Sequence, residues 1–201
     1  MIKKINNFIN GRFENSTSKT IPVWNPQNGE KLTEVICSSK KELNNAVSSA
    51  KSAFYKWSNI TLKERVDVFY EFRNELKNNI TSLANSICQE NGKTFEEARA
   101  EILKGIELTE FACSMPQIIH DEIQEVSRGV ECRSSHVPLG IVASITPFNF
   151  PIMVPMWTIP NAIVLGNCMI LKPSEQTPVG ASKIAELLKQ FSLFSLLYQF
   201  V

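Results

Sequence analysis

A chain of 201 residues with 43% hydrophobic and 20% charged residues is long enough to bury a core and too apolar for a disordered segment. Its 21 basic and 20 acidic residues leave a net charge of +1, which argues against an electrostatic binder of nucleic acid or of a membrane surface. Cys37, Cys88, Cys113, Cys132 and Cys168 are scattered and lack a C-x-x-C spacing, so neither a disulfide framework nor a metal site is expected.

The start, Met1-Ile-Lys-Lys-Ile-Asn-Asn7, has neither the apolar run of a secretion signal nor the character of a transit peptide. A reducing compartment is expected: cytoplasmic, or the mitochondrial matrix where a targeting segment precedes the sequence. Asn10-Gly11 then sits in an alternating stretch and predicts a hairpin turn. Ile21-Pro-Val-Trp24 and Lys31-Leu-Thr-Glu-Val-Ile36, on either side of a turn cluster, complete a small antiparallel sheet at the N-terminus.

Four helices follow. Ser39 with Glu42, Thr61 with Glu64 and Thr94 with Glu97 form capping boxes ahead of the first, second and fourth. The expected buried stripes are Leu43, Ala46, Val47, Ala50, Ala53, Phe54 and Trp57; Leu62, Val66, Phe69, Phe72 and Leu76; Ile80, Leu83, Ala84 and Ile87; and Phe95, Ala98, Ile102, Ile106 and Phe111. Asn91-Gly92 ends the third helix. Residues 122–136 form either a protruding ribbon or a linker. His120 and His136 have no partner at metal spacing, so structural or exposed roles are expected.

From Ser134 to Leu171 there is no charged residue. Five prolines break this stretch into pieces too short to span a membrane, and a buried parallel sheet explains the composition better. Residues 141–145 predict a buried strand, 151–165 a helix ended by Gly166, and 168–171 a second buried strand. A further helix, capped at Thr177-Pro178, runs to about residue 190. Strand, helix, strand, helix is a unit of a doubly wound α/β sheet, whose ligands bind beyond the strand carboxyl ends.

Asn149 lies past the first such end and Lys172 at the second. Asn149 could donate to an oxyanion formed on a carbonyl, or it could shape its own turn. Lys172 and Glu175 could clamp ribose hydroxyls, or form a solvated ion pair. Glu175 would repel a 2′-phosphate and so favour NAD over NADP. No G-x-G-x-x-G fingerprint is present.

Pro138-Leu-Gly-Ile-Val-Ala-Ser-Ile-Thr-Pro-Phe-Asn-Phe-Pro151 and Gly166-Asn-Cys-Met-Ile-Leu-Lys-Pro-Ser-Glu-Gln-Thr-Pro178 resemble the aldehyde dehydrogenase superfamily. Phe148, the run Pro151-Ile-Met-Val-Pro-Met-Trp157, Phe8-Ile-Asn-Gly11 and Glu90-Asn-Gly-Lys93 are similar to its CoA-acylating methylmalonate-semialdehyde dehydrogenase branch. The resemblance covers residues 6 to 190. It implies the N-terminal portion of that α/β fold: strands and helices over 1–121, a bridging or oligomerisation ribbon over 122–137, and the first β-α-β-α of the NAD-binding sheet over 138–190.

It further implies NAD-dependent oxidation of methylmalonate or malonate semialdehyde, with coenzyme A as acyl acceptor, in a homo-oligomer that uses neither nucleic acid nor membrane. Asn149 would be the oxyanion donor, Thr146 and Phe148 would line the nicotinamide side, and Lys172, Glu175 and Gln176 would hold the adenosine ribose region. Lys104 takes the place of an Arg that binds the substrate carboxylate; Lys keeps the charge but loses the bidentate fork. None of the five cysteines sits in a stretch resembling the nucleophile loop. Residues 191–201 read as an atypical tail, and the catalytic domain with its Cys and Glu is absent, so a truncated chain, inactive alone, is expected. The alternatives are a non-enzymatic fragment associating with a full-length relative, or a different branch of the superfamily.

Overall fold

The structure, a computed structural model, describes residues 4–191 and 197–201. Residues 192–196 of the expected atypical tail lie outside the described residues. The elements in order are β1 (Phe8–Ile9), β2 (Arg12–Phe13), β3 (Thr20–Trp24), β4 (Lys31–Ile36), α1 (Lys40–Trp57), α2 (Leu62–Asn78), α3 (Ile80–Asn91), α4 (Phe95–Cys113) and α5 (Met115–Ile118). They continue with β5 (Glu122–Ser127), β6 (Val130–Ser134), β7 (Ile141–Ile145), α6 (Met153–Val164), β8 (Cys168–Lys172), α7 (Val179–Leu188) and β9 (Tyr198–Phe200).

The β1–β2 turn forms as expected, with Asn10 and Gly11 both at positive φ, 53° and 74°. The N-terminal strands do not form one sheet, however. β3 and β4 pair only with each other, whereas β1 joins a five-stranded sheet of order β2-β1-β9-β8-β7. In it β7, β8 and β9 are parallel, and β1 runs antiparallel to β9. The sheet is therefore mixed, and it does not stop at residue 190: Tyr198, Gln199 and Phe200 are buried in its middle. Sequence reading missed β9 because three residues carry too little alternation to show a period.

All three capping boxes form, and α3 ends on Gly92 in the left-handed region. Strand alternation then places helices on both faces of the sheet. Ile170 packs with Ile9 and Ala46 of α1 in one cluster, while its neighbours Met169 and Leu171 belong to the main core with α6 and α7. Trp57, Phe69 and Phe72 are fully buried in that core, each worth roughly 2–3 kcal/mol of transfer free energy. The Trp57 indole N–H donates to the Ile163 carbonyl at 2.7 Å and ties α1 to α6.

Three expected core positions are exposed: Leu43, Phe95 and Phe111. Each lies in the first or last turn of its helix, where the apolar stripe runs past its neighbours. β7 is an edge strand rather than a buried one, with Ile145 80% exposed. Residues 122–134 settle as a two-stranded ribbon with every residue of both strands exposed. Among the described residues no helix is long and apolar enough to cross a membrane.

Candidate functional site

The loop after β7 and the loop after β8 lie side by side. The Thr146 N–H donates to the Lys172 carbonyl at 3.1 Å, which extends the parallel pairing one step beyond β7. Thr146 is itself buried. Next along the chain, the Phe148 carbonyl accepts from Asn91 Nδ2 at 2.9 Å and from Thr177 Oγ1 at 3.3 Å. Thr177 thus ties the two loops together instead of capping α7; Pro178 occupies the N-cap position and supplies no side-chain bond.

Neither α6 nor α7 carries a side-chain cap of its own. Buried glutamates from the neighbouring helices take that role. Glu101 Oε1 accepts from the Ile152 and Met153 amides at 2.9 and 3.0 Å. Glu90 accepts from Val179 at 2.6 Å and from Gly180 at 2.8 Å. Each carboxyl group meets the unpaired amides and positive dipole end of a helix. Burial pushes the Glu90 carboxyl up to about 8, against the pull of its two amide donors. Lys93 sits 2.5 Å from Glu101 Oε2, with its ammonium 3.8 Å from the centre of the Phe150 ring.

Two cavities open beyond the strand ends. One, of about 650 Å³, has Ile170 and Phe200 among its apolar lining and Lys172 with Glu175 among its polar lining. The other, of about 630 Å³, is lined by Phe148, Asn149, Glu175 and Gln176 together with Asn91 and Trp24. Glu175 belongs to both. Phe148, Asn149, Lys172, Glu175 and Gln176 are therefore brought together, whereas Thr146 lines neither cavity. Lys104 stands apart on the solvent face of α4, 2.5 Å from Glu107 of its own helix.

Lys172 and Glu175 are 2.9 Å apart and about half exposed, so their attraction adds at most about 1 kcal/mol. The Glu175 carboxyl is held below its usual range, first by its own backbone N–H and then by Lys172. Asn149 is exposed, and its side chain has no hydrogen-bond partner among the described residues. It is free to donate to a ligand.

No cysteine lines the cavity that holds Asn149. Burial raises the Cys113 thiol to about 11 and the Cys168 thiol to about 12, away from the thiolate a nucleophile requires. Cys37 lines the other cavity. His136 lies 3.6 Å from Asp121 at the foot of the exposed ribbon. Sequence reading missed Glu90, Lys93 and Glu101. The available signal was a carboxylate on an apolar stripe: Glu90 continues Leu83 and Ile87, and Glu101 lies between Ala98 and Ile102.

The family model described as aldehyde dehydrogenase family matches residues 13–200, which includes β9. The chain is 41% identical over 194 residues to malonate-semialdehyde dehydrogenase 2 of Bacillus mycoides, covering 96% of this chain and 40% of that protein. It is 42% identical over 185 residues to malonate-semialdehyde dehydrogenase 1 of Geobacillus kaustophilus, covering 91% and 38%. Among solved structures, methylmalonate-semialdehyde dehydrogenase from Oceanimonas doudoroffii superposes with a TM-score of 0.96 at 36% identity, over all of this chain and 41% of that one. A Sinorhizobium meliloti protein solved in complex with NAD gives a TM-score of 0.96 at 37% identity, with the same coverage. The chain thus spans about 40% of the length of the curated relatives it matches. The family model spans most of the chain, the curated relatives and the solved structures point the same way, and the chain belongs to the aldehyde dehydrogenase family.

Proposed function

We propose that this chain forms the cofactor-binding wall and the oxyanion donor of an NAD-dependent oxidation of malonate or methylmalonate semialdehyde to the acyl-coenzyme A. The observation that carries the reading is the pair of cavities joined at Glu175 beyond the ends of the parallel strands, one of them holding the unpartnered Asn149. The residues present fit an adenosine: an apolar floor that includes Ile170 and Phe200, and a donor and an acceptor, Lys172 and Glu175, within reach of vicinal hydroxyls. NAD, when bound, supplies the hydride acceptor. Gln176 and Phe148 line the same cavity as Asn149, whose amide donates to the carbonyl oxygen as charge develops on it. Lys104 contributes to substrate binding only by leaving Glu107.

The nucleophile comes from a separate segment, since no cysteine lines the Asn149 cavity. The chain alone is accordingly inactive, and the use of coenzyme A rests on the family resemblance. Calorimetric titration of the chain with NAD and NADP tests the reading. NAD should bind, more tightly than NADP, and Glu175→Ala should narrow the difference; absence of heat at millimolar NAD sinks it. NADH formation by the chain alone from malonate semialdehyde and coenzyme A would contradict the separate nucleophile.

A second reading, association with a longer relative, is favoured by the outer edge of β7, unpaired among the described residues, and by Ile123, Val126 and Val130 exposed on the ribbon. Co-expression with such a relative followed by size-exclusion chromatography tests it, and a chain that always elutes as a lone monomer counts against it.

A further inference from the structure

The backbone around Asn149 is gripped on both sides by one short stretch of the chain, the α3–α4 turn and the second turn of α4. Before Asn149, the Asn91 amide donates to the Phe148 carbonyl at 2.9 Å. After it, the Lys93 ammonium covers the Phe150 ring at 3.8 Å and pairs with Glu101. The other oxygen of Glu101 takes the Ile152 and Met153 amides. Lys93 and Glu101 are largely withdrawn from water, with side chains 18% and 1% exposed, so the pair is screened little. Pro147 and Pro151 further limit what the loop can do.

We infer that Glu101, acting with Lys93, is a positioning residue: it fixes the backbone that follows Asn149 so that the Asn149 amide is held out, unpartnered, toward the cavity. The inference rests on the reading of Asn149 as an oxyanion donor. Two duties converge on one carboxylate. One oxygen caps α6, and the other reaches Phe150 through Lys93. A residue that only capped α6 would leave Phe150 unrestrained, and that difference is measurable.

The test is backbone and Asn149 side-chain 15N relaxation on the 201-residue chain, with Glu101→Ala, Glu101→Gln and Lys93→Met. In the parent, order parameters at Phe148, Asn149 and Phe150 should be those of a rigid backbone, roughly 0.85, and in Glu101→Ala they should fall below about 0.6. Those of β8 should stay unchanged. Lys93→Met should loosen Phe150 and Asn149 while Ile152 and Met153 stay ordered. Glu101→Gln, which keeps an oxygen for the two amides, should rescue 152 and 153 and only partly restore 148–150. Rigid 148–150 in Lys93→Met overturns the inference, as does loosening shared equally with β8. If Glu101→Ala does not fold, the other two variants decide. A parent chain that fails to bind NAD sinks the proposed function and leaves these relaxation outcomes to stand or fall separately.

Discussion

Glu90 gives a pH dependence whose sign discriminates between two states of the same buried group. It is 3% exposed, accepts the Val179 and Gly180 amides, and faces the charges of Glu101 and Lys183. Burial raises its folded value from 4.5 to about 8. Between those limits the folded chain holds a proton that the unfolded chain has released, so the stability Glu90 contributes is full below about 4.5 and is lost as the pH rises through about 8. At about 1.4 kcal/mol per pH unit, the loss across this interval amounts to roughly 5 kcal/mol as an upper bound. Glu90→Gln is the matched neutral side chain: its one acceptor oxygen serves one of the two amides, much as the protonated acid does. Urea unfolding of both proteins from pH 5 to pH 9 should give near parity at pH 5, and the Gln variant should lead by several kcal/mol at pH 9. A parent that keeps or widens an advantage toward pH 9 refutes the reasoning, because two amide donors and Lys183 would then outweigh burial and keep the group ionised.

Gly166→Ala should cost roughly 3 kcal/mol or more, read from the urea midpoint, because residue 166 has φ +91° and its Cβ would fall 1.8 Å from Arg65 Nη1 and 2.6 Å from Pro138 Cγ. Asn149→Ala should change stability by less than about 0.5 kcal/mol in denaturation, since the exposed amide has no partner. The same change in a longer relative carrying this segment should lower kcat about 10²–10³-fold, measured as NADH formation. Thr94→Ala should cost about 1 kcal/mol by breaking the capping box with Glu97, again read from the denaturation midpoint.

Much of the fold was legible because it rests on local signals. The capping boxes at Ser39, Thr61 and Thr94 and the positive-φ turn at Asn10-Gly11 involve residues a few positions apart, and each forms as read. Signals that depend on distant neighbours failed. Ile141–Ile145 is apolar enough for a central strand yet, among the described residues, has a partner on one side only, and apolar composition does not encode how many neighbours a strand will have. Tyr198–Phe200 is central for the converse reason: Phe8 and Leu171 flank it from far away in the chain. At the site, Asn149, Lys172 and Glu175 could be proposed because they follow strand ends, and Gln176 from the family resemblance. Glu101 shows in the sequence only as a carboxylate on an apolar stripe, and the partners of Lys93 and Glu101, some fifty residues on, surface by folding alone.

The placement of those partners bears on which parts of the chain can act independently. Residues 138–190 look like a self-contained β-α-β-α unit, but the helices inside it begin at Ile152 and Pro178, neither of which can accept an amide through its side chain. Their first amides are satisfied by Glu101 and Glu90, which belong to the helical part before residue 122. A buried amide left without an acceptor costs about 1–3 kcal/mol, and removing the two carboxyl groups from the folded chain would leave two such amides, those of Ile152 and Gly180. The loops that carry Asn149 and Glu175 therefore take their shape from α3 and α4. A change at the α3–α4 turn should reach the candidate site before it reaches the sheet.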